Sequence, residues 1–328
     1  MENRPPYTIN NEMLGLVAVI ATKLGRIMHY QDMSAYPRLR RNNRIESIHS
    51  SLAIEANSLT LGNVRDVIAG KVVAGPEREI REVKNAYAAY AELTDLNPYR
   101  LEELLRLHGI MTAGLVRESG KLRSGEEGVF AGGRCIFMAP PAKFVPGQME
   151  DLFAWLREER NRIQPLLLSS IVHYEFVFIH PFADGNGRMA RLWQTALLAQ
   201  WQPIFAYLPI ENQIYKYQSE YYAAISASHR AGESTPFIVF MLHMIDAVLD
   251  ELLEKDVLGE ENEYVKKLLA IMEYDISYKA KELQDMLGLK ATAGLKRNYI
   301  EPAMRQGLIA MTIPDKPTSR NQRYYRIK

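Results

Sequence analysis

A chain of 328 residues with 47% hydrophobic and 24% charged residues has the balance of a folded protein of about two domains. Forty Lys and Arg against 39 Asp and Glu leave a net charge of +1, which removes any global drive toward nucleic acid or a membrane surface. The single cysteine, Cys135, excludes an intramolecular disulfide framework, no apolar run approaches the roughly 18 residues of a membrane span, and the first residues lack a signal-peptide core, so a cytoplasmic protein is expected.

In chain order, residues 10–29 place Leu14, Val17, Ile20, Leu24 and Met28 on one helical face, and Ile45, Ile48, Leu52 and Glu55 continue such a period through 42–56. Asn57 and Thr60 read as a stop and a new cap before a short helix through Ile68. Gly75-Pro76 breaks the chain ahead of a helix over 77–94, and Pro98 precedes another over 101–115, in which His108 reads as a buried structural residue. Residues 120–145 are different. Glycines and the pair Pro140-Pro141 flank two strand-like runs, Gly128-Val129-Phe130 and Arg134-Cys135-Ile136-Phe137-Met138, a hairpin signal that presents an edge. Arg123, just before it, reads as structural or as an anchor for the hairpin. Helices are then predicted over 146–161, 163–179, 188–200, 211–230 and 234–256.

The last 65 residues stand apart in charge. Residues 264–328 hold 13 Lys/Arg against 6 Asp/Glu, a balance of +7 that leaves −6 for residues 1–263. Three helices (Val265–Glu273, Ala280–Leu287, Ala291–Gln306) and two strands (Gly307–Ile313, Gln322–Ile327) predict a winged helix-turn-helix whose third helix exposes Lys290, Lys296 and Arg297. Its partner is DNA or protein; few residues suited to reading bases stand on that helix. The expected division is 1–95, 96–258 and 264–328.

The most informative stretch is His180-Pro181-Phe182-Ala183-Asp184-Gly185-Asn186-Gly187-Arg188-Met189-Ala190-Arg191. Two glycines let the backbone approach a ligand, and a helix starting at Asn186 or Gly187 turns free N–H groups toward the loop, which makes an anion site. Arg188 and Arg191, three apart, reach the same phosphates. Asp184 offers a hard oxygen to Mg²⁺, and His180 a group titrating near neutrality. A metal hydrolase built on His173, His180 and Asp184 is the competing constellation, and it lacks a further clustered ligand.

These twelve residues resemble the signature of the Fic family, His-Pro-Phe-x-(Asp/Glu)-Gly-Asn-Gly-(Arg/Lys)-x-x-Arg, and satisfy every fixed position. The resemblance implies a mainly α fold, with a Fic-type helical core carrying a small β-hairpin flap in addition to the winged helix. It implies transfer of AMP from ATP to a Ser, Thr or Tyr hydroxyl of a target protein. Carried over, His180 is the general base and Asp184 the Mg²⁺ ligand. Asn186 with the backbone of Gly185 and Gly187 forms the α/β-phosphate nest, Arg188 contacts the β-phosphate and Arg191 the γ-phosphate.

In the family a flap beside the motif pairs with the target segment. Residues 128–139 fit that place, which makes Val129, Phe130, Arg134, Cys135, Ile136 and Phe137 the expected target-binding residues. A family tyrosine near adenine falls on Tyr221-Tyr222, with Tyr222 preferred, and His229 stands where some relatives have Asn. Ser51-Leu52-Ala53-Ile54-Glu55-Ala56-Asn57 resembles the inhibitory helix (Ser/Thr)-x-x-x-Glu-(Gly/Asn), with Ala56 as the departure. By that resemblance Ser51 and Glu55 form a brake, Glu55 pairing with Arg191 and denying it to the γ-phosphate. The reading is an autoinhibited protein adenylyltransferase with ATP as substrate and Mg²⁺ as cofactor. Its alternatives are a DNA- or protein-binding regulator using the Fic domain as a nucleotide sensor, or a de-AMPylating activity. No membrane partner is expected, and the target protein, homo-oligomer formation and nucleotide preference are left open.

Overall fold

The computed structural model describes residues 4–30, 37–131, 134–258, 263–289, 291–305, 307–314, 316–317 and 319–327. The chain divides into two compact units: residues 1–24 with 32–249, and residues 25–31 with 250–328.

The first unit is helical, and of the helices named next only residues 25–30 and 250–258 are assigned to the second unit. Helices α1 (Asn11–Tyr30), α2 (Pro37–Ile54), α3 (Leu61–Ile68), α4 (Glu77–Ala91) and α5 (Leu101–Met111) precede a hairpin of β1 (Gly128–Ala131) and β2 (Arg134–Met138). Then come α6 (Val145–Glu159), α7 (Pro165–Ile179), α8 (Asn186–Trp201), α9 (Ile210–Lys216), α10 (Gln218–Ala231) and α11 (Thr235–Leu258). The sequence of α7, Pro165-Leu-Leu-Leu-Ser-Ser-Ile-Val-His-Tyr-Glu-Phe-Val-Phe-Ile179, is apolar nearly all round, so it is the central helix. It packs on α8, whose Met189, Leu192, Trp193 and Ala196 are fully enclosed. These two helices hold the twelve-residue motif between them. Thr60 caps α3 and forms a reciprocal capping box with Asn63.

Four of the expected helices differ in extent or kind. The helix expected over 42–56 starts earlier and ends at Ile54, so Glu55 and Ala56 sit in the closing turn. The helix expected to reach residue 115 stops at Met111. The helix expected over 211–230 is two, broken at Tyr217 (φ −113°, ψ 41°), although Ile210, Ile214, Tyr221 and Ile225 share one period. Its first half packs on α2. The fourth lies in the second unit, where the helix expected over 291–306 is α-helical at Thr292–Leu295 and Glu301–Arg305 but π-helical at Lys296–Ile300. Pro302 has no N–H for the Asn298 carbonyl and its ring crowds that group, so the turn before it widens.

That second unit also holds α12 (Glu263–Ile271), α13 (Ala280–Met286) and a three-stranded antiparallel sheet. The strand Ser277–Tyr278 adds to the expected pair, Ile309–Met311 and Tyr324–Arg326, with Tyr324–Arg326 in the middle. Leu268, Leu283, Leu295, Ile300 and Ile309 form its core. Among the described residues no helix is long and apolar enough to cross a membrane.

Candidate active site

The motif begins where α7 ends. His180 closes that helix in the left-handed region (φ 53°, ψ 58°), its N–H donating to Phe176 O at 2.9 Å, and this turns its half-buried side chain out of the helix. Burial pulls its pKa below the ordinary value, and the nearby Arg123 charge adds to this against a hydrogen bond to the Val177 backbone. The imidazole is therefore neutral at pH 7, the form that accepts a proton.

Three residues shape the loop that follows. Asn186 spends its amide on the Phe182 backbone, accepting from Phe182 N at 2.9 Å and donating to Phe182 O at 2.7 Å. Its side chain builds the loop, which leaves only its backbone for a ligand. His108 stacks flat on Phe182 with ring centroids 3.6 Å apart. Gly120 N donates to His108 Nδ1, so Nε2 carries the proton and donates to Asp184 O at 3.0 Å. Burial lowers the His108 pKa to about 4, which keeps this structural ring neutral. Arg123, buried before the flap, donates to His180 O at 2.7 Å, Gly125 O at 2.8 Å and Pro140 O at 2.5 Å, with a longer bond to Ile179 O. One guanidinium thus ties both ends of the hairpin to the motif.

Helix α8 starts after Gly185, at φ +83°, and no side chain caps it, so its first N–H groups are left for a ligand. Gly187 faces Glu55: a Cβ there would overlap Glu55 Oε1. Arg191, fully enclosed, donates Nη2 to Glu55 Oε1 at 2.8 Å and to Ser51 O at 2.8 Å, and Nε to Ser51 Oγ at 3.0 Å. Burial works against its charge, but Glu55 together with Tyr221 and Tyr90 holds its pKa above the ordinary value. Nη1 of Arg191, with Nε and Nη1 of Arg188, is buried without a hydrogen-bond partner among the described residues.

The end of α2 has its own geometry. Asn57 N donates to Leu52 O at 3.1 Å and Ala56 N to Ala53 O at 3.0 Å, a Schellman closure in which Ala56 takes the left-handed conformation (φ 65°). That is where glycine or asparagine sits without strain, and alanine does not. The Ile54 carbonyl accepts from Gln218 Nε2 at 3.0 Å and from Tyr222 OH at 3.5 Å. Tyr222 is otherwise exposed, whereas Tyr221 is buried with its hydroxyl 3.0 Å from His173 Nε2. His229 Nδ1 meets Tyr174 OH at 2.9 Å.

Asp184 reaches Arg188 and Arg78, each at 2.8 Å. Arg78 and its neighbour Glu82 went unread in the sequence; their i, i+4 spacing is visible there, but the loop they meet is 106 residues away. His173 does not join His180 and Asp184 at a metal: it is buried with both ring nitrogens engaged, Nδ1 by Gln194 and Nε2 by Tyr221. Among the described residues no group of three His, Cys, Asp or Glu could hold a metal ion. Asp184 is the residue that would hold a Mg²⁺ here, and phosphate oxygens and water would have to supply its remaining ligands, as is common for that ion. In the flap, Gly128 pairs with Met138 and Ala131 with Arg134, with a bulge between Val129 and Phe130. The side chains of Val129, Phe130, Arg134, Cys135, Ile136 and Phe137 lie outside the described residues.

On the other face of α7, Glu175 lines a cavity of about 190 Å³ with Arg4, Asp151, Tyr174 and His229. Burial raises its pKa from 4.5 to about 7. The folded chain therefore holds a proton that the unfolded chain gives up above pH 4.5, and stability falls as pH rises from about 4.5 to 7. Glu175→Gln is expected to match wild type at pH 4 and to be more stable by about 3 kcal/mol at pH 8. Thermal melts of both proteins at the two pH values check this, and equal gaps at both would contradict it.

Comparison with known proteins places this geometry. Residues 95–198 match the model of the Fic/DOC family, and residues 263–327 match that of the C-terminal domain of Fic-like proteins (filamentation induced by cAMP). A solved Fic family protein from Desulfovibrio desulfuricans G20 is 42% identical, with a TM-score of 0.74, covering 99% of this chain and 98% of that one. Fic-1 (residues 134–508) from Caenorhabditis elegans shares the fold at 23% identity and a TM-score of 0.61, covering 76% of this chain and 72% of that one. Among curated proteins, the protein adenylyltransferase fic-1 of C. elegans is 29% identical over 226 residues, 65% of this chain. The protein adenylyltransferase Fic of Drosophila mojavensis is 28% identical over 231 residues, 66% of this chain. The chain spans 42% and 43% of the length of these two curated relatives. Alike over 99% of its length to one solved member, and carrying the helix–loop–helix that spans His180, Asp184, Arg188 and Arg191, this chain belongs to the Fic family.

Proposed function

We propose that this chain is a protein adenylyltransferase that moves AMP from ATP to a target hydroxyl and is held back at rest by Glu55. The observation that carries the reading is a set of buried guanidinium nitrogens that make no hydrogen bond, Nε and Nη1 of Arg188 and Nη1 of Arg191, of which Arg188 Nη1 has only a long ion pair to Glu82 at 3.7 Å. A desolvated donor without a partner costs about 1–3 kcal/mol, so the pocket is shaped for an anion it can pair with. A triphosphate laid along the open start of α8 would supply that charge. The relatives that match this chain over about two thirds of its length are named protein adenylyltransferases, which supports the same reading.

In the reaction, neutral His180 takes the proton of the attacking hydroxyl as its oxygen bonds to the α-phosphorus and the α–β bridging bond breaks. Pyrophosphate leaves, its charge met by Arg188 and Arg191. Asp184 would hold Mg²⁺, which supplies further neutralisation of phosphate charge. The flap edge would align the target segment beside His180, and Tyr222, exposed beside the end of α2, would border the base. Glu55 opposes all of this by pairing with Nη2 of Arg191, which sets a carboxylate against the charge that the γ-phosphate would need.

The second unit, three helical segments and a three-stranded sheet, supports a winged-helix reading. Lys296 and Arg297 are exposed on its third helix, and Lys290 lies outside the described residues.

The test is incubation with α-phosphate-labelled ATP, Mg²⁺ and a cell lysate. Wild type is expected to label protein and His180→Ala to lose at least about 100-fold of that rate, the scale of general-base catalysis. Full labelling by His180→Ala would overturn the assignment.

A further inference from the structure

Both carboxylate oxygens of Asp184 are occupied. Oδ1 accepts from Arg188 Nη2 and Oδ2 from Arg78 Nη2, each at 2.8 Å. Arg78 Nε and Arg188 Nη1 stand 3.5 and 3.7 Å from one oxygen of Glu82, which closes a ring of four alternating charges. The other Glu82 oxygen accepts from Asn57 Nδ2 at 2.8 Å, and Asn57 is the residue that completes the turn carrying Glu55. The two arginines are not equivalent. Arg188 is 4% exposed and fixed on α8, whereas Arg78, on α4, is 58% exposed and can swing into water without leaving a buried hole.

We propose that Arg78 is a gate on the cation site: it holds Asp184 closed to divalent metal until a nucleotide arrives. This rests on Asp184 as the cation ligand of the proposed transferase. A guanidinium and a divalent cation compete for the same carboxylate lone pairs, and their charges repel at that distance. With two arginines facing two carboxylates, the ring is already neutral, and a free Mg²⁺ gains little by entering it. Phosphate oxygens change the sign of that balance. They draw Arg188 toward themselves, add negative charge beside Asp184, and give the cation the further ligands it needs. Arg78 then has the weaker claim on Oδ2 and leaves. Metal and nucleotide thereby enter as one unit, and the empty protein does not collect free metal. The link through Glu82 and Asn57 ties this gate to the turn that positions Glu55, so the cation site and the brake share a residue.

The probe is Mn²⁺ alone, titrated into the full chain without nucleotide and followed by loss of the free-ion signal in electron paramagnetic resonance. Arg78→Ala is expected to bind Mn²⁺ about tenfold more tightly than wild type, the scale of a partly exposed charge pair in a network. Arg78→Lys keeps the charge and should stay near wild type, and Arg78→Ala/Asp184→Asn should lose the gain. Circular dichroism melts establish that each variant is folded. Wild-type affinity in Arg78→Ala overturns the gate, as does a gain that survives Asp184→Asn or appears equally in Arg78→Lys. The assay contains no ATP, so a chain that binds Mn²⁺ as expected yet transfers no label overturns the transferase reading alone. A chain that transfers label but shows no gain overturns only the gate.

Discussion

Glu55→Gly should raise the rate of label transfer about 100-fold over wild type, because a charge-assisted bond to a buried arginine is what the γ-phosphate must displace. Arg191 is 1% exposed at its side chain and Glu55 37%, so the arginine cannot find water as a substitute partner while the carboxylate can. Opening the contact therefore strands the guanidinium unless phosphate takes the place of Glu55. Ser51 still holds Arg191 through its hydroxyl and carbonyl when Glu55 is gone, so the arginine keeps its aim and the fold keeps its core. Glu55→Gln keeps the shape and a hydrogen bond but not the charge, and should fall between the two. Initial rates of incorporation at saturating ATP separate these cases. Equal rates in wild type and Glu55→Gly would show that the ion pair does not limit the reaction.

The second large effect is expected at Arg123. Replacing it by leucine leaves the carbonyls of His180, Gly125, Pro140 and Ile179 without their donor inside the protein. At about 1–3 kcal/mol for each buried group left unsatisfied, with relaxation and water recovering part, the loss should be about 3–5 kcal/mol. For a domain of this size that lowers the melting temperature by about 10 °C. Loss of transfer should accompany it even in the Glu55→Gly background, because His180 and both ends of the flap share this one anchor. Melting curves and hydrogen exchange across residues 128–138 read the two consequences separately. A variant that melts like wild type with an equally protected hairpin would contradict the anchoring role.

The features legible in the sequence share a property: their parts lie close along the chain or on one helical face. His180 through Arg191 occupy twelve consecutive positions, so loop, glycine turn and arginine pair can be read together. The hairpin shows because glycine and proline bracket short β-prone runs. Glu55 and Arg191 are 136 residues apart and become legible as a pair only through family resemblance, since nothing local in either segment points to the other. What escapes is set by packing. The period of Ile210, Ile214, Tyr221 and Ile225 runs through residue 217 unbroken, and the bend at Tyr217 is visible only once α9 lies on α2. Ser277–Tyr278 is too short to carry an alternation, and becomes a strand because Tyr324–Tyr325 offers it an edge. Arg78 and Glu82 look like an ordinary solvated pair on a helix until the loop from α7 folds against them.

Ala56 gives the proposed brake a mechanical character. A left-handed alanine costs roughly 1–2 kcal/mol relative to its relaxed backbone, and the turn that imposes this is the one that presents Glu55 to Arg191. A release that opened this turn would return the strain, so the proposed latch would be spring-loaded toward release. A load of that size corresponds to roughly a 5- to 30-fold shift in the balance between shut and open. A trigger that opened this turn would need to push that much less hard than it would against a glycine at the same place, and the transferase proposed above would leak in proportion when at rest.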